Sequence, residues 1–104
     1  MIKKVTLSAD LTFDWDEANL GHIKKHSVEY SECEEIFFNR PFLVDKDPGH
    51  SQKEERFQAL GKTNPNRLIF IIFTIRKEKI RVISARDQSR KERITYKGGE
   101  INET

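Results

Sequence analysis

Cysteine is almost absent from this sequence of 104 residues, which contains one, Cys33. A single cysteine excludes a disulfide framework and a four-cysteine metal site, and it favours a reducing compartment. Apolar runs are also short, because none approaches the ~18 residues that a membrane span needs. Residues 1–10 lack the hydrophobic block and the cleavage site of a signal peptide. We therefore expect a cytoplasmic protein without a membrane partner.

Several catalytic motifs are missing as well. The sequence contains no glycine-rich phosphate loop, no serine nucleophile elbow and no Cys-x-x-Cys pair, so it does not support hydrolase chemistry of those kinds. His22 and His26 have the i, i+4 spacing that can chelate a metal on a helix, but Ile23 stands where the catalytic form of that motif has glutamate. Because no third ligand accompanies the pair, we predict neither a metal site nor a cofactor.

The composition is nevertheless sufficient for one small domain. Hydrophobic residues make up 36% of the chain and charged residues 35%, where about a quarter charged is typical. Seven phenylalanines and the apolar stretch 68–75 provide a core, which a disordered chain would lack.

Positive charge is concentrated in the second half of the chain. Residues 1–52 contain six Lys and Arg against ten Asp and Glu, a balance of −4, whereas residues 53–104 contain thirteen against seven, a balance of +6. Residues 76–97 alone contain nine bases and three acids. Such a cluster is typical of proteins that bind a polyanion, most often nucleic acid. A basic surface that meets only solvent has the same charge pattern, so charge alone does not choose between these interpretations.

Three pairs of residues have the spacing of a capping box, which marks the start of a helix: Asp14/Glu17, Ser31/Glu34 and Ser89/Glu92. They predict helices over about 16–26 and 31–39, and a third helix from 89 to the stop signal Gly98-Gly99. Four strands are predicted over 42–44, 55–61, 68–75 and 79–86. With a short segment before the first helix, the order is β-α-α-β-β-β-β-α.

Short links between the predicted strands imply antiparallel pairing. We predict an α+β domain with an antiparallel sheet of about four strands and with helices packed on one face. Strand alternation places Arg56 opposite Phe57, and it places Arg81 opposite Val82 and Ser84. If the helices cover the side that carries Phe57 and Val82, Arg56 and Arg81 emerge together on the uncovered face.

Two further arginines are predicted near that face, since Arg86 closes the last strand and Arg90 opens the third helix. Guanidinium groups around one cleft can bind phosphates and stabilise the charge of a phosphorane. Salt bridges to Glu54, Glu55 or Glu92 are the alternative use of the same side chains.

A series of short motifs runs through most of the chain: Phe13-Asp14-Trp15-Asp16-Glu17-Ala18, Lys25-His26, Glu55-Arg56-Phe57, Gly61, Arg67-Leu68, Ile83-Ser84-Ala85-Arg86, Glu92-Arg93 and Tyr96. This series resembles the BrnT-type toxins, the ribonuclease partners of bacterial type II toxin–antitoxin modules, over about residues 13–98. We therefore interpret residues 1–104 as a single toxin domain with an N-terminal extension over 1–12. Ser27 departs from the glycine that the family often has.

The resemblance implies a RelE-like fold, metal-independent RNA cleavage that inhibits translation, and a cognate BrnA-type antitoxin with a ribbon-helix-helix DNA-binding domain. Operator DNA would be contacted only through the complex with that antitoxin. The catalytic candidates are His26, Glu55, Arg56, Arg81 and Arg86, and the RNA-binding candidates are Lys25, Arg67, Lys79, Arg90 and Arg93.

RNA cleavage through the 2′-hydroxyl needs a base, an acid and charge stabilisation. His26 or Glu55 would be the base and the arginines would hold phosphate, whereas His26 could equally only pin the first helix to the sheet. A non-catalytic RNA-binding domain and a protein-interaction domain are the alternative functions.

Overall fold

The computed structural model of the chain describes residues 3–4, 10–47 and 54–101. The elements are β1 (Lys3–Lys4), α1 (Glu17–Lys24), α2 (Tyr30–Phe38), β2 (Leu43–Lys46), β3 (Arg56–Lys62), β4 (Leu68–Arg76), β5 (Lys79–Asp87) and α3 (Arg90–Ile101). This is the order that the sequence predicts. Within these ranges, no helix has both the length and the apolar character that crossing a membrane requires.

The strands form one antiparallel sheet in the order β1-β2-β3-β4-β5. Strands β2–β5 are the four that the sequence predicts, and β1 adds two residues at the edge beside β2. From β2 onward, each strand pairs with the next one along the chain, as short connections require. The α+β class and the antiparallel sheet are therefore confirmed.

Two apolar clusters lie on opposite sides of this sheet. On one side, α1 and α2 pack against strand residues that include Ala59, Ile71 and Ala85. On the other side, Tyr96 of α3 packs against Leu60, which directly follows Ala59 in β3 and so faces the opposite way. The expectation that the helices pack on one face thus holds for α1 and α2, whereas α3 lies on the other face.

Helix α3 begins where its capping box predicts but continues further. The Ser89 N–H donates to Glu92 Oε1 at 2.8 Å, and the Glu92 N–H donates to Ser89 Oγ at 3.2 Å. The predicted stop at Gly98-Gly99 is wrong, because the helix runs on to residue 101. Gly99 lies against Leu43, where an added Cβ would come within 3.0 Å of Leu43 Cδ1. Glycine thus serves close packing of α3 on the sheet, not helix termination.

Helix α1 begins two residues later than the predicted capping box. Asp16, not Asp14, is the N-cap: its carboxylate accepts from the Asn19 N–H, and the Asn19 side chain accepts from the Asp16 N–H. The buried Asn19 amide also donates to the Asp14 and Val82 carbonyls. The hydrogen bond to Val82 joins this cap to β5 and so favours Asp16 as the N-cap. The sequence pattern alone does not reveal this contact between distant residues.

Helix α2 likewise begins at a different cap from the predicted one. Its N-cap is Glu29, whose N–H donates to Glu32 Oε1 at 2.9 Å. The carboxylate of Glu34, predicted to cap with Ser31, accepts instead from Trp15 Nε1 at 2.9 Å. Glu34 therefore binds the indole of Trp15 instead of capping α2.

Ser27 lies in the turn after α1 with φ of 58°. This left-handed conformation costs a residue with a Cβ more than it costs glycine. The departure from glycine at this position therefore has a conformational cost in this chain.

Candidate functional site

A β-bulge in β5 decides which arginines share a face. Ser84 pairs with Ile72, but the next pair along is Val82 with Phe73, so Ile83 is an extra residue in β5. The sequence alternation placed Ser84 on the side of Val82, and this is wrong: beyond the bulge, Ser84 faces the same way as Arg81.

The same shift brings Arg86 to the face of Arg81, although five positions separate them. Arg86 pairs with Phe70, while its neighbour Ala85 lies in the core under α1 and α2. Without the extra residue, an odd spacing would put the two arginines on opposite sides of the sheet. We call the sheet surface that carries Arg56, Arg81 and Arg86, opposite to α1 and α2, the arginine face.

The register spaces these three guanidinium groups across the arginine face. Arg56 and Arg81 both pair with Thr74 of the intervening strand, which separates their Cα atoms by about 10 Å. Arg86 lies four β4 positions away along the strands, a distance of about 13 Å. Arg56 and Arg81 share one face as predicted, and Arg86 lies at the other end of it. The expectation that this face is uncovered is wrong, because α3 packs on it.

Arg81 is held by two carboxylates from the segment before α1. Its Nη1 lies 3.0 Å from Asp16 Oδ2 and 3.4 Å from Asp14 Oδ2, and its side chain is only 12% exposed. The hydrogen bond from Arg81 is also the main reason that the pKa of Asp16 is lowered. These two carboxylates therefore neutralise much of the positive charge of Arg81.

Arg86 forms a two-point contact with Glu92 at the start of α3. Its Nη1 donates to Glu92 Oε1 at 2.8 Å and its Nη2 donates to Glu92 Oε2 at 3.0 Å. The guanidinium lies over the Phe70 ring, 4.1 Å from its centroid. Burial acts to raise the pKa of Glu92, but hydrogen bonds from Arg86 and Ser89 outweigh it and the pKa is lowered. Glu92 is therefore ionised and fixes Arg86 above the sheet.

Arg56 differs from the other two arginines of this face. Within the described residues no ion pair joins it to a carboxylate, and its buried Nε atom has no hydrogen-bond partner there. The salt-bridge alternative is thus confirmed for Arg86, which pairs with Glu92. Arg81 is also paired, but with aspartates that the alternative did not name. An arginine without a paired carboxylate is suited to an anionic ligand.

A cleft of about 170 Å³ lies between the arginine face and α3. The sheet contributes Asp45 and Gln58, and α3 contributes Lys91, Glu92 and Thr95. The sequence analysis selected none of Asp45, Gln58, Lys91 and Thr95. Strand alternation could have found Gln58, whereas α3 reaches the cleft only through tertiary packing.

The two candidate bases lie away from the arginine face. His26 is exposed in the turn that follows α1, which covers the opposite side of the sheet. The Glu55 carboxylate pairs with Lys46 Nζ at 2.7 Å, and the register partner of Lys46 is Phe57 on the side of α1 and α2. The structure therefore does not bring His26 or Glu55 together with Arg56, Arg81 and Arg86.

The RNA-binding candidates are distributed over several elements. Arg90 and Arg93 are exposed on α3, Lys25 is exposed in the turn after α1, and Lys79 is exposed at the start of β5. Arg67 is instead held by acceptors from three segments of the chain. Lys79 lies two residues before Arg81 in β5 and faces the same way, so it is on the arginine face. Arg90 and Arg93 lie on α3, the helix whose Glu92 contacts Arg86.

Comparison with known families identifies the chain. The model of one family, described as the ribonuclease toxin, BrnT, of a type II toxin–antitoxin system, matches residues 15–92. The match spans 78 of the 104 residues and confirms the resemblance found in the sequence. The chain belongs to this family of ribonuclease toxins. A search of curated proteins found no match.

Proposed function

We propose that this chain cleaves RNA at the arginine face without a metal ion, and that the cleavage inhibits translation in the cytoplasm. The observation that carries the proposal is that Arg56, Arg81 and Arg86 lie on one side of the sheet, beside a cleft lined by the sheet and α3. Membership of a ribonuclease toxin family gives the reaction class. The arginines supply the positive charge that binding and cleaving a phosphodiester requires.

In the proposed reaction, the 2′-oxygen of a ribose attacks the adjacent phosphorus and the 5′-oxygen leaves, which yields a 2′,3′-cyclic phosphate. A base takes the 2′-hydroxyl proton and an acid protonates the departing 5′-oxygen. The phosphorane gains negative charge, and we propose that Arg56, which no carboxylate of the described residues pairs with, stabilises it. Two carboxylates, Asp45 and Glu92, line the cleft, and Asp45 replaces Glu55 as the candidate base.

We further propose that a BrnA-type antitoxin with a ribbon-helix-helix domain holds the toxin inactive. A type II module includes an antitoxin, so the family supports a protein partner. The basic stretch 76–97 offers a surface for acidic residues of that partner, and opposite charges raise the association rate more than the final affinity. Operator DNA would then be contacted only through the complex.

The central test is RNA cleavage by the purified chain. A labelled single-stranded RNA and its DNA counterpart are incubated with the wild type, with Arg56→Ala and with Arg86→Ala, each with and without EDTA. Lys24→Ala is the matched control, because it removes one positive charge from α1 on the opposite side of the sheet. We expect cleavage of RNA alone, no effect of EDTA, a loss of about 100-fold in each arginine variant and no loss in the control.

Three other outcomes of this assay would each contradict one part of the proposal. RNA retention without products from the wild type would support the non-catalytic RNA-binding alternative, which the distance of His26 and Glu55 from the arginine face favours. Activity lost to EDTA and restored by one divalent ion would refute metal independence. Equal losses in the Lys24 control would mean that total charge, not the arginine face, determines activity.

A further inference from the structure

Glu92 leaves one edge of the Arg86 guanidinium free. Arginine has five N–H donors, two on each Nη and one on Nε. Both donors of Nη1 are used, one by Glu92 Oε1 and one by the Asp87 carbonyl at 3.0 Å. One donor of Nη2 goes to Glu92 Oε2. Within the described residues, the second Nη2 donor and the Nε donor have no acceptor, and these two N–H groups lie side by side.

That free edge has the geometry for a phosphate. The Nε–Nη2 edge of a guanidinium binds two oxygens of one phosphate with parallel hydrogen bonds. Phe70 lies under the plane of the group at 4.1 Å and limits its movement, while the side chain is still 38% exposed. The carboxylate contact and the ring therefore fix both the plane and the rotation of the guanidinium.

A second arginine of the chain shows the opposite arrangement. Arg76 donates through Nε to Glu54 Oε2 and through Nη2 to Glu54 Oε1, both at 2.9 Å. The carboxylate thus occupies the edge of Arg76 that a phosphate would use. The two pairs have similar distances, but only the pair at α3 presents the phosphate-binding edge.

We propose that Glu92 is a positioning residue, which caps α3 and orients Arg86 so that its Nε–Nη2 edge receives a phosphate of the RNA. The anchor is rigid because Glu92 Oε1 also accepts from the Ser89 N–H at 2.8 Å. The start of α3 is thereby joined to the phosphate-binding group. This assignment rests on the proposed function, since it names how one residue of that site is held.

The test is a double-mutant cycle of Glu92→Gln and Arg86→Ala. Glutamine keeps an oxygen for the helix cap but cannot accept from both Nη atoms, so we expect kcat/KM for RNA cleavage to fall about tenfold. The melting temperature should fall only as far as loss of the Glu92 charge accounts for. In the Arg86→Ala background, Glu92→Gln should cause no further loss, because its effect passes through Arg86. Glu35→Gln is the control and should leave cleavage unchanged, because this α2 carboxylate lies on the opposite side of the sheet, where it accepts from the Asn64 N–H at 2.8 Å.

A direct readout separates this proposal from the proposed function. The probe is a 2′-deoxy-substituted oligonucleotide, which cannot be cleaved, and the signal is the NMR resonance of the Arg86 Nε–H. We expect a shift on addition of the probe in the wild type and a much smaller one in Glu92→Gln. If the wild type shows this shift but cleaves no RNA, the positioning role stands and the ribonuclease function fails.

Three results would overturn the positioning role. Multiplicative losses in the double variant would show that Glu92 acts independently of Arg86. Higher activity of Glu92→Gln would show that the carboxylate competes with phosphate. Absence of an Arg86 Nε–H shift in the wild type would show that the free edge does not meet the backbone of the probe.

Discussion

Arg67→Ala should destabilise the fold, although the sequence pattern selects Arg67 for RNA binding. The Arg67 guanidinium donates through Nε to Asp87 Oδ1 at 2.8 Å, and through Nη1 to the Ser27 carbonyl at 3.0 Å and to Glu32 Oε1 at 3.0 Å. It thereby joins the turn after α1, helix α2 and the end of β5. Its side chain is 28% exposed, so solvent screens these contacts only in part.

The size of the loss follows from the three acceptors. The Glu32 contact is worth about 1 kcal/mol at this partial burial, and the Asp87 contact about 0.5 kcal/mol because that carboxylate is 66% exposed. The Ser27 carbonyl loses a charge-assisted partner, which costs about 1 kcal/mol. We therefore expect Arg67→Ala to lower the free energy of unfolding by about 2–3 kcal/mol and the melting temperature by about 10 °C.

The assay is urea unfolding followed by circular dichroism, together with RNA affinity measured below the melting range. Arg67→Lys should recover less than half of the loss, because one ammonium group cannot reach three acceptors in different directions. Arg90→Ala, which removes an exposed charge, should leave stability within about 0.5 kcal/mol and weaken RNA binding. If Arg67→Ala unfolds at the wild-type urea concentration but loses RNA affinity, the bracing role is wrong and Arg67 is an RNA contact.

Further predictions address the helix turns, the core and the effect of pH. Ser27→Gly should raise the free energy of unfolding by about 1 kcal/mol, since it relieves a φ of 58°; an unchanged urea midpoint would contradict this. Tyr96→Phe should cost about 1–2 kcal/mol, because it removes the buried hydrogen bond that the Tyr96 hydroxyl donates to the Pro41 carbonyl at 2.7 Å. Burial raises the pKa of the Cys33 thiol to about 12, so iodoacetamide should modify Cys33 at the rate of unfolding; rapid modification of the native protein would show that the α2 side of the core is open. Folding lowers the pKa values of Asp87 and Glu92. The stability that these carboxylates contribute is therefore complete above their ordinary pKa values of 3.8 and 4.5, and it is lost as the pH falls below those values. Equal urea midpoints at about pH 6 and about pH 3 would exclude this contribution.

The sequence by itself determined the order of the elements and much of the core. Short-range signals act within a few residues, so the apolar stripe of Cys33, Ile36 and Phe37 and the capping box at Ser89 appear in the structure as the pattern predicts. The alternation along β3 also places Arg56 opposite Phe57 correctly, because β3 pairs without a register shift. The motif series is specific enough to indicate the family from the sequence alone.

Only the tertiary structure decided how those elements meet at the site. The N-caps of α1 and α2 differ from the predicted ones because Asn19 and Glu34 make contacts with distant segments. Helix α3 lies on the face opposite to α1 and α2 because Tyr96 and Gly99 pack on β2 and β3. The extra residue Ile83 has the largest consequence, since a bulge depends on pairing with the neighbouring strand and has no signature in the alternation of β5 alone. Through that bulge, Arg81 and Arg86 come to share one face, and α3 brings Glu92 to hold the second of them.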